Sequence, residues 1–104
     1  MSNAVIQVTT DAAAIDRAVE SAQRILEQLP DLQIRVIVHG EALDAVVGTE
    51  PLEHDPAVRV EACSLGLRAR GHSLDELRPG FDTVAGASAA IIQAQLDGAA
   101  YLRL

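Results

Sequence analysis

A chain of 104 residues is long enough for one domain and too short for two. A net charge of -7 argues against binding a phosphate backbone, and the absence of lysine argues against Schiff-base chemistry and a Walker-type phosphate loop. Phe81 and Tyr101 are the only aromatic residues, too few for a groove that stacks bases, so the core is expected to be aliphatic, built from Ala, Val, Ile and Leu.

The segment 4–9 (AVIQVT) is apolar and β-branched, as a strand should be. Asp11 offers a carboxylate N-cap, and Ile15, Val19, Ala22, Ile25, Leu26 and Leu29 then recur at helical spacing until Pro30. Residues 32–38 (LQIRVIV) form the second strand, whose continuous Val36-Ile37-Val38 run suits a strand covered on both faces. His39-Gly40 turns the chain into a short helix over 41–47.

Residues 48–57 hold two prolines and three acids and are expected to be a mobile, hydrated loop, with His54 in solvent. The third strand is predicted over 58–62, with Cys63 at its carboxyl end, and a helix over 64–70 closes at Gly71. His72 beyond it is expected to be solvated. Ser73 to Glu76 is a capping-box pattern for one further helical turn, ended by Arg78-Pro79-Gly80. A brief strand over 82–85, a helix over 88–97 stopped by Gly98, and a last strand over 99–104 complete the chain. Five strands alternate with helices through connections too long for hairpins. The expected fold is therefore α/β, with helices on both faces of a five-stranded, mostly parallel sheet, as a single domain over residues 1–104.

In an open parallel sheet, ligands bind outside the carboxyl ends of the strands. That edge collects His39 and Gly40, then Cys63 and Ser64, then the Gly86-Ala87-Ser88 helix start, a weak anion-binding signal. Cys63 is the informative member. A thiol just before a helix faces free N–H groups and the positive end of the dipole, both of which stabilise a thiolate. Arg68 or Arg70 would add positive charge. The bland reading is that Cys63 is a small packed hydrophobe, because free cysteine is among the most buried residue types. No Cys or His pair has metal-ligand spacing, and the first strand is not followed by Gly-x-Gly-x-x-Gly, so no metal and no nucleotide cofactor is expected. One cysteine fits a reducing compartment. With no span of about 20 apolar residues and no signal pattern, the expected location is the cytoplasm, without membrane or nucleic-acid partners.

Several short patterns occur in a familiar order. Val38-His39-Gly40-Glu41-Ala42-Leu43 resembles the strand-end HG-x-A-L step of DsrE/DsrF-like proteins. Val60-Glu61-Ala62-Cys63, followed by Leu67, Arg70 and Gly71, is similar to that family's cysteine segment. Pro79-Gly80, Gln95 and Gly98-Ala99-Ala100-Tyr101-Leu102 extend the likeness over nearly the whole chain. The resemblance implies a three-layer α/β/α sandwich with five parallel strands, assembled as a trimer or hexamer. It also implies a sulfur-relay role in sulfur oxidation or tRNA thiolation, with Cys63 carrying sulfur as a persulfide between donor and acceptor proteins. His39, Gly40, Ser64 and Arg70 are the accompanying binding candidates. The alternative is a non-catalytic oligomeric module that binds a small anion or a protein, with Cys63 merely packed.

Overall fold

The computed structural model describes residues 3–104. In chain order these are β1 (Asn3–Val8), α1 (Ala12–Gln28), β2 (Gln33–Val38), a 3-10 helix (Gly40–Ala45), β3 (Val58–Cys63) and α2 (Ser64–Ala69). A 3-10 turn (Leu74–Glu76), β4 (Asp82–Val84), α3 (Ala87–Leu96) and β5 (Ala100–Arg103) follow. The five strands form one sheet in the order β4-β3-β2-β1-β5, and every neighbouring pair is parallel. β1 is internal, as its apolar sequence requires. The fold is the expected α/β architecture.

Because side chains alternate along a strand, the sheet has two distinct faces. One carries Ile6, Val8, Ile34, Val36, Val38, Val58, Val60 and Ala62, all buried. Over it lies α1, started by the Asp11 carboxylate, which accepts the Ala14 N–H at 2.9 Å. The helix buries Ala14, Ile15, Ala18, Ala22 and Leu26. Three alanines in that stripe let the helix come close to the strands, and each fully buried Val or Ile beneath it contributes roughly 1.5–3 kcal/mol relative to exposure. The 3-10 helix and α2 complete the layer with Leu43 and Leu67.

Among the described residues, one connection reaches the other face. The β4-to-β5 connection runs across the whole sheet, and a right-handed crossover in that direction puts α3 opposite α1. Ala87, Ile91 and Ala94 of α3 turn inward, and Val5 and Ile37 of the sheet are buried. A ten-residue helix cannot cover five strands, and the remainder of this face is polar. Glu61 is only 3% exposed there and accepts a two-pronged ion pair from Arg35, at 2.6 and 3.1 Å. Arg59 reaches both Glu61 and Asp82, at 3.9 and 3.5 Å.

Three expectations change. The segment after Gly40 is a 3-10 helix, shorter than the helix expected over 41–47, because Val47 leaves it to bridge Leu77. The loop over 48–57, expected to be mobile, is tied down. Arg78 donates to the Glu50 and Ala45 carbonyls at 2.7 and 2.8 Å, and Leu52 N–H donates to the Pro79 carbonyl at 2.8 Å. His54, expected in solvent, lies within hydrogen-bond distance of the Gly80 carbonyl at 2.8 Å through Nε2. The prolines and acids identify a loop correctly, but its anchors come from Arg78 to Gly80, distant in sequence.

Candidate functional site

The site begins where β2 and β3 end. His39 N–H donates to the Val8 carbonyl at 3.0 Å, carrying the β1–β2 ladder one residue past the strand. Val38 pairs with Ala62, so the next register step sets His39 beside Cys63 on the face that α3 covers. Gly40 then turns with a φ of +64°, where an L side chain is disfavoured, and a β-carbon there would stand 3.1 Å from the Thr9 carbonyl oxygen.

Cys63 ends β3 and is the N-cap of α2. Its Sγ accepts the Gly66 N–H at 3.4 Å, so a backbone donor already serves the sulfur. The residue is 7% exposed and lies in a cleft of about 500 Å3 with His39, Gly40, Gly66, Gly86 and Ser88. α3 also begins at this cleft. Its N-cap, Gly86, has no side chain to occupy the first N–H groups, which stay available to a ligand. Leu65, Ala69, Ala87 and Ala89 make most of the remaining wall apolar. Among the described residues, no three His, Cys, Asp or Glu side chains converge to hold a metal.

Of the residues singled out from the sequence, Cys63, His39 and Gly40 share this cleft. Ser64 adjoins Cys63 along the chain but is not part of the cleft wall. Arg70 is also outside the wall. Its guanidinium is held by Asp44, through Nε at 2.9 Å and Nη2 at 2.6 Å. His72, expected in solvent, meets the same carboxylate at 3.0 Å. Asp44 is thereby held far below the usual carboxylate range, by Arg70 first and His72 second. These three residues clasp the 3-10 helix to the end of α2.

Sequence reasoning missed two residues. Gln7 Nε2 lies 2.8 Å from His39 Nε2, and the Tyr101 hydroxyl donates to Gln7 Oε1. A glutamine among the apolar residues 4–8 of an internal strand was the available signal. Burial, and then the charge of Arg103, push His39 below the ordinary histidine value, which favours the neutral ring.

Fold and site together define a parallel α/β protein with its single cysteine at a strand-to-helix junction, in a cleft shared with a histidine. No family model matches the sequence, and no curated protein matches it. Among solved structures, the chain is similar to MTH1491 from Methanobacterium thermoautotrophicum, described as a protein of unknown function. The TM-score is 0.83 at 22% identity, over 100% of both chains. It is likewise similar to the ychN protein from E. coli, with a TM-score of 0.74 at 21% identity, again over 100% of both chains. These likenesses show the fold. No helix among the described residues is long and apolar enough to cross a membrane.

Proposed function

We propose that this is a DsrE/DsrF-like sulfur-relay protein of the cytoplasm, carrying sulfane sulfur as a persulfide on Cys63. The observation that carries the reading is the Gly66 N–H donated to Cys63 Sγ in a cleft that also receives the start of α3. Backbone donors and helix ends stabilise a sulfur anion, and both the thiolate and the persulfide are anions in use. The thiolate attacks the terminal sulfur of a donor persulfide, forming the Cys63 S–S bond and releasing the donor as its thiolate. An acceptor thiolate then attacks the outer sulfur, and Cys63 leaves as thiolate. Neither step changes the overall redox balance or needs a cofactor.

The protein acts as a homo-oligomer, a trimer or hexamer, in the same proposal. Ile92 and Leu96 on the outer side of α3 are 58% and 76% exposed, large apolar side chains that a neighbouring subunit would cover. The burial of Cys63 favours the second reading, a non-catalytic binding module in which the thiol is packing. One experiment separates them. The native protein and Cys63→Ser are incubated with a sulfane-sulfur donor and weighed intact. Gain of one sulfur by the native protein alone supports the carrier. No gain, together with resistance of Cys63 to alkylation in the folded state, replaces it with the binding module.

A further inference from the structure

A polar chain of side chains runs from β5 through β1 to β2 and ends in the cleft. The Tyr101 hydroxyl donates to Gln7 Oε1, and in that arrangement the carboxamide presents its NH2 group to His39 Nε2 at 2.8 Å. An amide NH2 has no lone pair to offer. With the carboxamide in this orientation His39 Nε2 accepts, and in a neutral ring the proton then belongs to Nδ1. That nitrogen has no hydrogen-bond partner among the described residues, and it is not a buried unsatisfied atom. His39 itself lines the cleft with Cys63.

We infer that Gln7 and Tyr101 are positioning residues that hold His39 as its neutral Nδ1–H tautomer, a hydrogen-bond donor to the sulfur anion in the Cys63 cleft. The identity of that anion as a sulfur species rests on the carrier reading above. Burial and the Arg103 charge act in the same direction, since both disfavour the imidazolium. A neutral donor has a definite use here. It steadies a thiolate or persulfide without supplying an acidic proton that would quench either one. Tyr101 acts at one remove and is not part of the cleft wall, so its contribution passes through Gln7 to the tautomer of His39.

Nitrogen-resolved NMR of the labelled full chain at neutral pH reads the tautomer directly. The expected native spectrum has a bare, accepting Nε2 and a protonated Nδ1 on His39. Gln7→Glu replaces the donor with a group that only accepts, and should invert the pattern by protonating Nε2. The second measurement is the fraction of Cys63 present as thiolate at neutral pH, read from its ultraviolet absorbance. Tyr101→Phe should lower it roughly threefold, the worth of one neutral hydrogen bond. In a His39→Ala background the same change should do nothing. An Nε2–H tautomer in the native protein overturns the inference. So does an equal effect of Tyr101→Phe in both backgrounds, which would mark Tyr101 as a structural residue. Failure of sulfur loading with both results as expected removes the carrier reading alone and leaves His39 as donor to the plain thiolate.

Discussion

Gly66 fits between Cys63 and Leu43 where a side chain would crowd both. Its N–H donates to Sγ at 3.4 Å, and a β-carbon at that position would stand 2.6 Å from Leu43 Cδ1 and 3.6 Å from the sulfur itself. Leu43 is fully buried, so either its side chain must turn within the core or α2 must shift. The missing side chain is what lets the first turn of α2 close on the thiol while α2 stays packed on the 3-10 helix.

Gly66→Ala should therefore cost about 1–3 kcal/mol, the usual penalty for overpacking a filled core. It should also move the N–H away from Sγ. Chemical denaturation measures the first effect, and the alkylation rate of Cys63 in the folded protein measures the second. Unchanged stability and unchanged reactivity would show that the contact has slack.

Two other glycines make a controlled pair. Both have positive φ, +80° at Gly71 and +96° at Gly80. A β-carbon at Gly71 meets nothing within 4 Å, whereas at Gly80 it would lie 2.1 Å from the Leu52 carbonyl oxygen. Gly71→Ala should cost only the backbone strain, about 1–2 kcal/mol. Gly80→Ala must also push the 48–57 loop off its anchor and should cost at least about 3 kcal/mol, or prevent folding. Equal melting temperatures for the two variants would refute the close approach of Leu52.

Acid should weaken the fold in two stages. His39 is held below its ordinary value, so the folded state prefers the neutral ring, and stability falls as pH drops below about 6.5. Asp44 is held low by Arg70 and His72, so its contribution is present above about pH 4 and is lost as acid protonates it. Because Asp44 is exposed, that second loss is screened and small. Melting curves across pH check both, with His39→Gln expected to flatten the upper stage and Asp44→Asn the lower. A native protein equally stable at pH about 7 and about 5 would contradict the neutral His39.

The Arg35–Glu61 pair should matter through what its loss leaves behind. Arg35→Ala strands a carboxylate that is almost wholly buried, with Arg59 only at 3.9 Å, and should cost about 2–4 kcal/mol. Arg35→Met with Glu61→Leu removes both charges and should recover most of that loss. If the double variant is less stable than Arg35→Ala, the pair gives more than mutual neutralisation.

The exposed side of α3 carries the proposed self-association. Leu96→Glu, on a residue already in solvent within the single chain, should leave the fold intact and shift sedimentation towards the monomer. A native protein that sediments as a monomer at high concentration would end the oligomer proposal.

Much of the fold was legible in the residues. The β-branched runs and helical spacings located every strand and helix to within a few residues, and the Asp11 and Ser73 caps lie where their patterns placed them. The rule that sites gather at strand carboxyl ends brought His39, Gly40 and Cys63 to one cleft. Pairings set by strand order were illegible. Gln7 and Tyr101 meet across 94 positions because β5 returns to β1, and periodicity carries no record of that return. Arg70 looked available to the thiol because one helix holds both residues' neighbourhood, but the 3-10 helix brings Asp44 to it first. Nothing in the residues around Glu61 marks it as buried; its burial depends on Arg35 arriving from β2.

The place of β1 between β2 and β5 has a consequence for the order of assembly. One edge of β1 can pair as soon as residues 33–38 exist, while the other waits for Ala100–Arg103 at the far end of the chain. Closing so long a loop is entropically late, and contacts of large sequence separation slow folding. Until it closes, an apolar strand presents an open edge to any other extended chain, the condition that invites aggregation. Synthesis from the N-terminus prolongs that interval, because β5 emerges after the other four strands. Aggregation during refolding should therefore rise sharply when the residues after 98 are removed, well before any helix is lost.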